Sequence, residues 1–245
     1  SGGVNYYHKL LGMQFTSVGC QACPALTTTL KAIQTEQPGR LAVASFHMDF
    51  GGVTDPMSTA ATNNYRTNIL GNFSGLPRLF YNLRKGTKEM ISIKSQIEEE
   101  LQKELSNYPA SCGVAIESVY NASDRTVTIT AKLTSNVTNT YRCLIYLVED
   151  GIKYFQTNGG NDYTHNNVVR AVVSTSLNGD RFNGEVNAGV ESTMQRSYQL
   201  EPGWNVDNMR VIVSMLTTLD GGKTYTCNNV NECKLGESAD YLYNE

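Results

Sequence analysis

Cys20-Gln21-Ala22-Cys23, followed at once by Pro24, are the residues of this chain best placed to do chemistry. Proline is tolerated in a first helical turn, where its missing N–H costs nothing, so Cys-x-x-Cys-Pro reads as a cysteine pair opening a helix. Unpaired N–H groups at a helix N-terminus stabilise a thiolate, which predicts that Cys20 is the more exposed and more acidic thiol. Cys23, about a turn further in, then acts as the thiol that resolves a mixed disulfide. The same spacing is also half of a zinc site, but His8, His47, Cys112 and Cys143 show no paired spacing to complete one, so neither metal nor cofactor is expected. A permanent disulfide tying the loop to its helix is the other reading of the pair.

The flanking sequence supplies elements to hold such a pair. Residues 9–15 read as a buried strand entering the cysteine loop. Ala25–Gln37 continues as a helix with Leu26, Leu30 and Ile33 on one face, stopped by Pro38-Gly39. Leu41–Phe46 is short and almost wholly apolar, as a central parallel strand should be. Asp55-Pro56 looks like an N-cap and first helical residue, opening a helix to about Leu70. Gly75-Leu76-Pro77 leads into a strand over Arg78–Asn82. Lys85-Gly86 then turns the chain into Thr87–Ile91. Ser95 and Glu98 have capping-box spacing, and Ile93, Ile97, Leu101 and Leu105 give the last helix one apolar stripe. The order β–α–β–α–β–β–α, with cysteines at the first strand-to-helix junction, is the thioredoxin pattern. It predicts that Leu76-Pro77 is cis and that this backbone forms a ledge for an extended peptide substrate. Two positions depart from that pattern. Gly19 stands where thioredoxins have tryptophan, and Gln14 stands six residues before Cys20, where they carry a buried acid.

After Tyr108-Pro109 the period changes from helical to alternating. Val127, Ile129, Ala131 and Leu133 share one face of a strand, as do Met209, Val211, Val213 and Met215 of another. Turn clusters lie at Asn121–Asp124, Ser135–Asn139 and Asp220-Gly221-Gly222. Short strands with turn signals between them indicate an all-β sandwich, immunoglobulin-like or jelly-roll-like, over 109–245, behind a thioredoxin-like α/β domain over 1–108. Gln156–Asn161 and Leu177–Gly189 are Gly/Asn-rich loops of unassigned course. Cys227 and Cys233 are expected to form a structural disulfide in the terminal strand region; Cys112 and Cys143 either pair or stay buried thiols. His165 reads as a hydrogen-bonding surface residue in a polar loop. His47, after the second strand, is either a packed strand-end residue or a proton acceptor near the cysteines.

The totals narrow the function classes. The chain has 245 residues, with 18% charged and 40% hydrophobic, enough for two globular domains. Residues 1–110 hold 10 Lys/Arg against 8 Asp/Glu, and residues 111–245 hold 10 against 15, with no basic cluster to serve as a nucleic-acid footprint. No apolar run approaches the roughly 20 residues of a membrane-spanning helix. Six cysteines and 23 asparagines suit an oxidising compartment. Ser1-Gly2-Gly3 reads as a cloning remnant, so a signal peptide or lipid-anchoring segment is expected to have been removed.

Three stretches resemble the outer-membrane-protein-28 (Omp28-related) family of Bacteroides-group bacteria. Phe15–Ala25 is similar to its cysteine motif. Tyr163-Thr164-His165-Asn166-Asn167-Val168-Val169-Arg170-Ala171 is similar to its sandwich motif, with Asn167 where a second histidine is common. Val230–Gly236 is similar to its closing strand. The resemblance implies a thioredoxin-like domain plus a β-sandwich, in the periplasm or at the outer membrane, often held by an N-terminal lipid. Two function classes follow. One is an extracytoplasmic thiol–disulfide oxidoreductase acting on protein thiols or disulfides. It would use Cys20 as attacking thiolate, Cys23 as resolver and Leu76-Pro77 as ledge. The other is a non-catalytic cell-envelope module whose sandwich binds a surface protein or glycan.

Overall fold

The computed structural model describes residues 3–84 and 92–245. In chain order its elements are β1 (Leu10–Thr16), α1 (Cys23–Glu36), β2 (Leu41–His47), α2 (Ala60–Asn64) running into a π-helical turn (Tyr65–Ile69), β3 (Arg78–Tyr81) and α3 (Lys94–Asn107). There follow β4 (Cys112–Asn121), β5 (Thr126–Ser135), β6 (Arg142–Glu149), β7 (Ile152–Gln156), β8 (Gly160–His165), β9 (Val168–Val172) and β10 (Asp180–Arg181). The last four are β11 (Ser192–Gln199), β12 (Met209–Thr217), β13 (Thr226–Lys234) and β14 (Ser238–Ala239). Among the described residues, no helix is long and apolar enough to cross a membrane.

The chain forms two compact units: Leu10–Asn107 with Val148–Ala171, and Ser1–Lys9 with Tyr108–Leu147 and Val172–Glu245. The division expected at 108/109 is therefore corrected in two places, since Val148–Ala171 groups with the cysteine-bearing unit and Ser1–Lys9 with the other. Pairing and packing explain the first exchange. Ser45 of β2 pairs in parallel with Val168 of β9, and Ser45 N donates to Asn167 O at 2.7 Å. Val168 is buried with Val18 and Met57, and Ile152 packs on them.

In the cysteine-bearing unit the sheet order is β9-β2-β1-β3, with β2 parallel to β1 and β3 antiparallel to it. Side chains alternate across a strand, so β1 and β2 each present two different faces. Leu10, Leu41 and Val43 point to one face, where they are buried with Leu26, Leu30 and Ile33 of α1 and Ile97 and Leu101 of α3. Phe15 and Phe46 point to the other and stack at 5.2 Å, with Phe73, Phe80 and Tyr65 edge-on around them. The expected stripe of α3 is partly realised: Ile97 and Leu101 are buried and Leu105 packs on the cluster, but Ile93 precedes the helix and is exposed. Ser95 is not a cap, because the helix has already begun at Lys94. Thr87–Ile91 and the Lys85-Gly86 turn lie outside the described residues.

The helix expected from Asp55-Pro56 begins later, at Ala60. The carboxylate of Asp55 is engaged elsewhere: Oδ2 accepts from Val18 N at 2.9 Å and pairs with His47 Nδ1, and Oδ1 accepts from Met57 N at 2.8 Å. Asp55 thus joins three segments of chain instead of capping one helix.

The second unit is β-rich. One antiparallel sheet runs β11-β5-β4-β14; another joins β13, β12 and β6, with β10 paired to β6. Alternation on β5 buries Val127, Ile129, Ala131 and Leu133, as expected, whereas β12 is buried on both faces. Asn229 of β13 fills its hydrogen-bonding capacity in the interior: Nδ2 donates to Tyr7 O and Cys112 O, and Oδ1 accepts from Lys9 N and Val230 N. Asn231 Nδ2 donates to Val114 O. These amides satisfy strand carbonyls that would otherwise be buried without partners.

The disulfide expected between Cys227 and Cys233 does not form; both are buried thiols, as are Cys112 and Cys143. Cys227 and Cys233 lie on the same strand, β13, and six residues of extended chain span about 20 Å, far beyond the roughly 7 Å a disulfide bridges. Burial pushes the Cys143 thiol up to about 12 and that of Cys233 to about 11, so these sulfurs are protonated and inert at neutral pH.

Candidate functional site

Cys20 and Cys23 form a disulfide, with Cα atoms 5.4 Å apart. Cys23 is the first residue of α1 and Pro24 lies in its first turn. No side chain caps this end, and no acidic residue occupies its first turn. The helix N–H groups therefore face no competing carboxylate, the condition under which a terminus stabilises a thiolate.

The expected exposure of Cys20 is not found. Cys20 and Cys23 are each 1% exposed. The cover is the turn joining β7 and β8, from the distant segment that packs into this unit. Gln156 Nε2 donates to Ser17 O and to Cys20 O, each at 3.0 Å. Thr157 N donates to Val18 O at 2.8 Å, and Asn158 Nδ2 donates to Gln21 O at 3.2 Å. Four carbonyls of the cysteine loop, those of Ser17, Val18, Cys20 and Gln21, are thus held by residues more than a hundred positions away.

The structure also explains Gly19. A Cβ at this position would collide with the carbonyl oxygen of Phe50 and lie 2.9 Å from Cβ of Val53. The 50–53 segment turns tightly through Gly51 and Gly52, both at positive φ, and closes over the place where a tryptophan would stand.

Beneath α1 the floor of the site is polar. The face of β1 and β2 that begins with Leu10, Leu41 and Val43 ends with Gln14, Thr16, Ser45 and His47, by the same two-residue alternation. Gln14 Nε2 donates to Thr27 Oγ1 of α1, and Ser45 Oγ donates to Gln14 Oε1, both at 2.9 Å. Gln14 is therefore a hydrogen-bonded bridge where an acid was expected by pattern. Cys23, Gln14, Thr27, Ser45, His47, Tyr163 and His165 line a common narrow cleft with a volume of about 20 Å³.

His47 Nδ1 lies 2.8 Å from Asp55 Oδ2, and both residues are buried. Burial pushes the Asp55 carboxyl up, but the hydrogen bond and charge of His47 with the Val18 and Met57 amides outweigh it and hold it below the usual range. Asp55 is ionised at neutral pH. His165, expected at the surface, is instead buried in β8, its ring edge-on to His47 at 5.6 Å and to Tyr163 at 4.9 Å. Burial, and then the neighbouring His47, lower its pKa to about 4.

That depression makes a pH prediction. The unfolded chain takes up a proton at residue 165 before the folded one does. The stability contributed by the neutral ring is therefore complete above about pH 6.5 and is lost as pH falls toward 4, by roughly 3 kcal/mol. Urea unfolding between pH 7 and 4.5 should show this loss, and His165→Gln should flatten it; an unchanged slope in the variant would contradict the assignment.

The Leu76-Pro77 peptide bond is cis. Arg78 pairs with Phe15, which places Pro77 beside the end of β1 that leads into the cysteine loop, and both Leu76 and Pro77 are buried. The structure thus brings Cys23, His47 and His165 to one cleft, with Cys20 bonded to Cys23 and Pro77 in the same unit. Sequence reasoning missed Asp55 as a partner of His47, and Gln156 as the cover. The former had a visible signal: polar residues of one parity breaking two otherwise apolar strands at the same end. Gln156 had none, because its contact depends on a tertiary pairing far along the chain.

A solved structure titled HBP35 of Porphyromonas gingivalis superposes with a TM-score of 0.76 at 17% identity, over 96% of this chain and 77% of that one. Protein AGR_C_4864 from Agrobacterium tumefaciens gives a TM-score of 0.60 at 17% identity over the full length of both chains. At that identity these likenesses establish a shared fold alone. No curated protein matches the sequence. The family model described as outer membrane protein Omp28 matches residues 66–239, a stretch that includes β7, β8 and most of the β-rich unit but begins after the cysteine pair. With well over half of its length matched, the chain belongs to the Omp28 outer membrane protein family.

Proposed function

We propose that this protein is a thiol–disulfide oxidoreductase of the cell envelope, acting on protein thiols or disulfides through Cys20 and Cys23. Membership of an outer membrane protein family places it outside the cytoplasm, in the periplasm or at the outer membrane, where such exchange is needed. The observation that carries the reading is the Cys20–Cys23 disulfide at an uncapped helix start, with Cys23 lining a cleft that is also lined by His47, whose ring pairs with Asp55 behind it. A disulfide serving only as a staple has no use for ionisable groups in the cleft beside its inner cysteine. In this reading the cysteine-bearing unit is a thioredoxin-like domain and the two sheets of the β-rich unit form a sandwich. Cys20 attacks, Cys23 resolves, and the backbone at Leu76-Pro77 receives the substrate chain once the Gln156 turn has moved aside.

The burial of both sulfurs favours a second reading, a non-catalytic envelope module with a structural Cys20–Cys23 bond. There the sandwich would bind a surface protein or glycan, and any membrane attachment would come through a lipid on a removed segment. Trapping separates the two. Cys23→Ser, expressed in the envelope, is expected to accumulate mixed disulfides through Cys20, because the resolving sulfur is gone. A variant that captures no protein, with Cys20 a free thiol, would favour the binding module.

A further inference from the structure

We propose that His47 accepts the thiol proton of Cys23 when that sulfur closes the disulfide, with Asp55 as the residue that positions it. The inference rests on the exchange reading above and supplies the group that Gln14 cannot. Gln14 does not titrate, and both ends of its amide are engaged, with Thr27 and Ser45. His47 is the nearest imidazole in sequence to this floor. It stands opposite Thr16 at the end of β2, on the face turned toward the first turn of α1, and it lines the cleft that Cys23 also lines.

The orientation of the ring follows from its partner. Asp55 is ionised and lies 2.8 Å from Nδ1, so Nδ1 carries a hydrogen, and in the neutral ring the lone pair falls on Nε2. A carboxylate behind the ring also stabilises the imidazolium that forms, as in other histidine–carboxylate pairs. Two amide donors fix the carboxylate in turn, Val18 N and Met57 N, while the backbone N–H of Asp55 donates to Asp49 Oδ1. The proton has an exit, since His47 also lines a second cavity of about 280 Å³ with Asp49, Ser58 and Arg66. The ionisable groups around His47 are thus Asp55 and Asp49 from its own following loop, Cys23 from α1, Tyr163 and His165 from β8, and Arg66 from the π-helical turn. His165 stays neutral near pH 7, so it brings no positive charge against the imidazolium.

The chemistry balances with glutathione disulfide as the oxidant. The Cys20 thiolate attacks it, one glutathione thiolate leaves, and a Cys20–glutathione mixed disulfide forms. Cys23 then passes its proton to His47 Nε2, and its thiolate attacks Sγ of Cys20. The Cys20–Cys23 bond forms, the second glutathione thiolate departs and takes up a proton. The protein dithiol loses two electrons and glutathione disulfide gains them.

The test follows both steps in the reduced full-length protein mixed with glutathione disulfide, by rapid quenching and mass analysis across pH 5–9. In His47→Gln the second step is expected to slow about 10- to 100-fold at pH 7 and to recover only as the pH approaches the range of an unassisted thiol, while the first step is unchanged. Asp55→Asn should slow the same step by less. The unmodified protein should show a solvent deuterium isotope effect on the second step, a readout that needs no folded variant. A second step equally fast in His47→Gln, or no isotope effect, would overturn the role of His47 while leaving exchange intact. Failure of the unmodified protein to form the mixed disulfide at all would instead remove the exchange reading, and this proposal with it.

Discussion

Gly19→Trp is expected to destabilise the cysteine-bearing unit by at least about 3 kcal/mol, since the added side chain meets backbone and not a yielding side-chain tip. The first atom of any side chain at this position strikes the Phe50 carbonyl, and Val53 closes the other flank. Relief requires the 50–53 turn to lift, and that turn is tied by paired hydrogen bonds of 3.1 Å between Phe50 and Val53. Lifting it also disturbs the approach to Asp55, and with it the Val18 and His47 contacts. Urea unfolding measures the loss directly. A variant within about 0.5 kcal/mol of the parent would show that the loop moves freely and that the absence of tryptophan has no steric origin.

Gln156→Ala is expected to speed reduction of the Cys20–Cys23 bond by dithiothreitol about 10- to 100-fold. The variant loses two hydrogen bonds and leaves the Ser17 and Cys20 carbonyls without that donor, which favours the open cysteine loop by about 1–3 kcal/mol. If attack on Cys20 requires the β7–β8 turn to move, that difference passes straight into the rate. An unchanged rate would mean that the reductant reaches the sulfur by another route, and that the turn is not the cover that matters.

These two residues mark the limits of what a linear reading shows. Gly19 was visible as a departure, but its cause lies in a turn some thirty residues on, whose path depends on Gly51 and Gly52. Gln156 lay in a stretch whose course had no local signal, because Asn- and Gly-rich hairpins encode their turn and not their docking site. The strands were legible where burial is one-sided and local: β5 alternates as expected, and β1 and β2 read as apolar runs because both faces are covered. The expected Cys227–Cys233 bond failed for a physical reason, since a short sequence interval is a long distance once the segment is extended. The N-cap role given to Asp55 failed because its carboxylate does more by joining Val18, His47 and Met57 than by opening a helix. The cysteine pair and the cis-proline were legible because their chemistry is local to the motif. The polar floor showed only as polar residues of one parity at the ends of two apolar strands; its closure by Thr27 and Asp55 is tertiary and had no local signal.

The reduction potential of the Cys20–Cys23 pair, measured by equilibration of the full chain with glutathione buffers of known ratio, tests the exchange reading most directly. A potential between about −270 and −120 mV is expected, within the span of proteins that trade disulfides. A potential below about −300 mV, the range of structural bonds that the glutathione pool does not open, would contradict it.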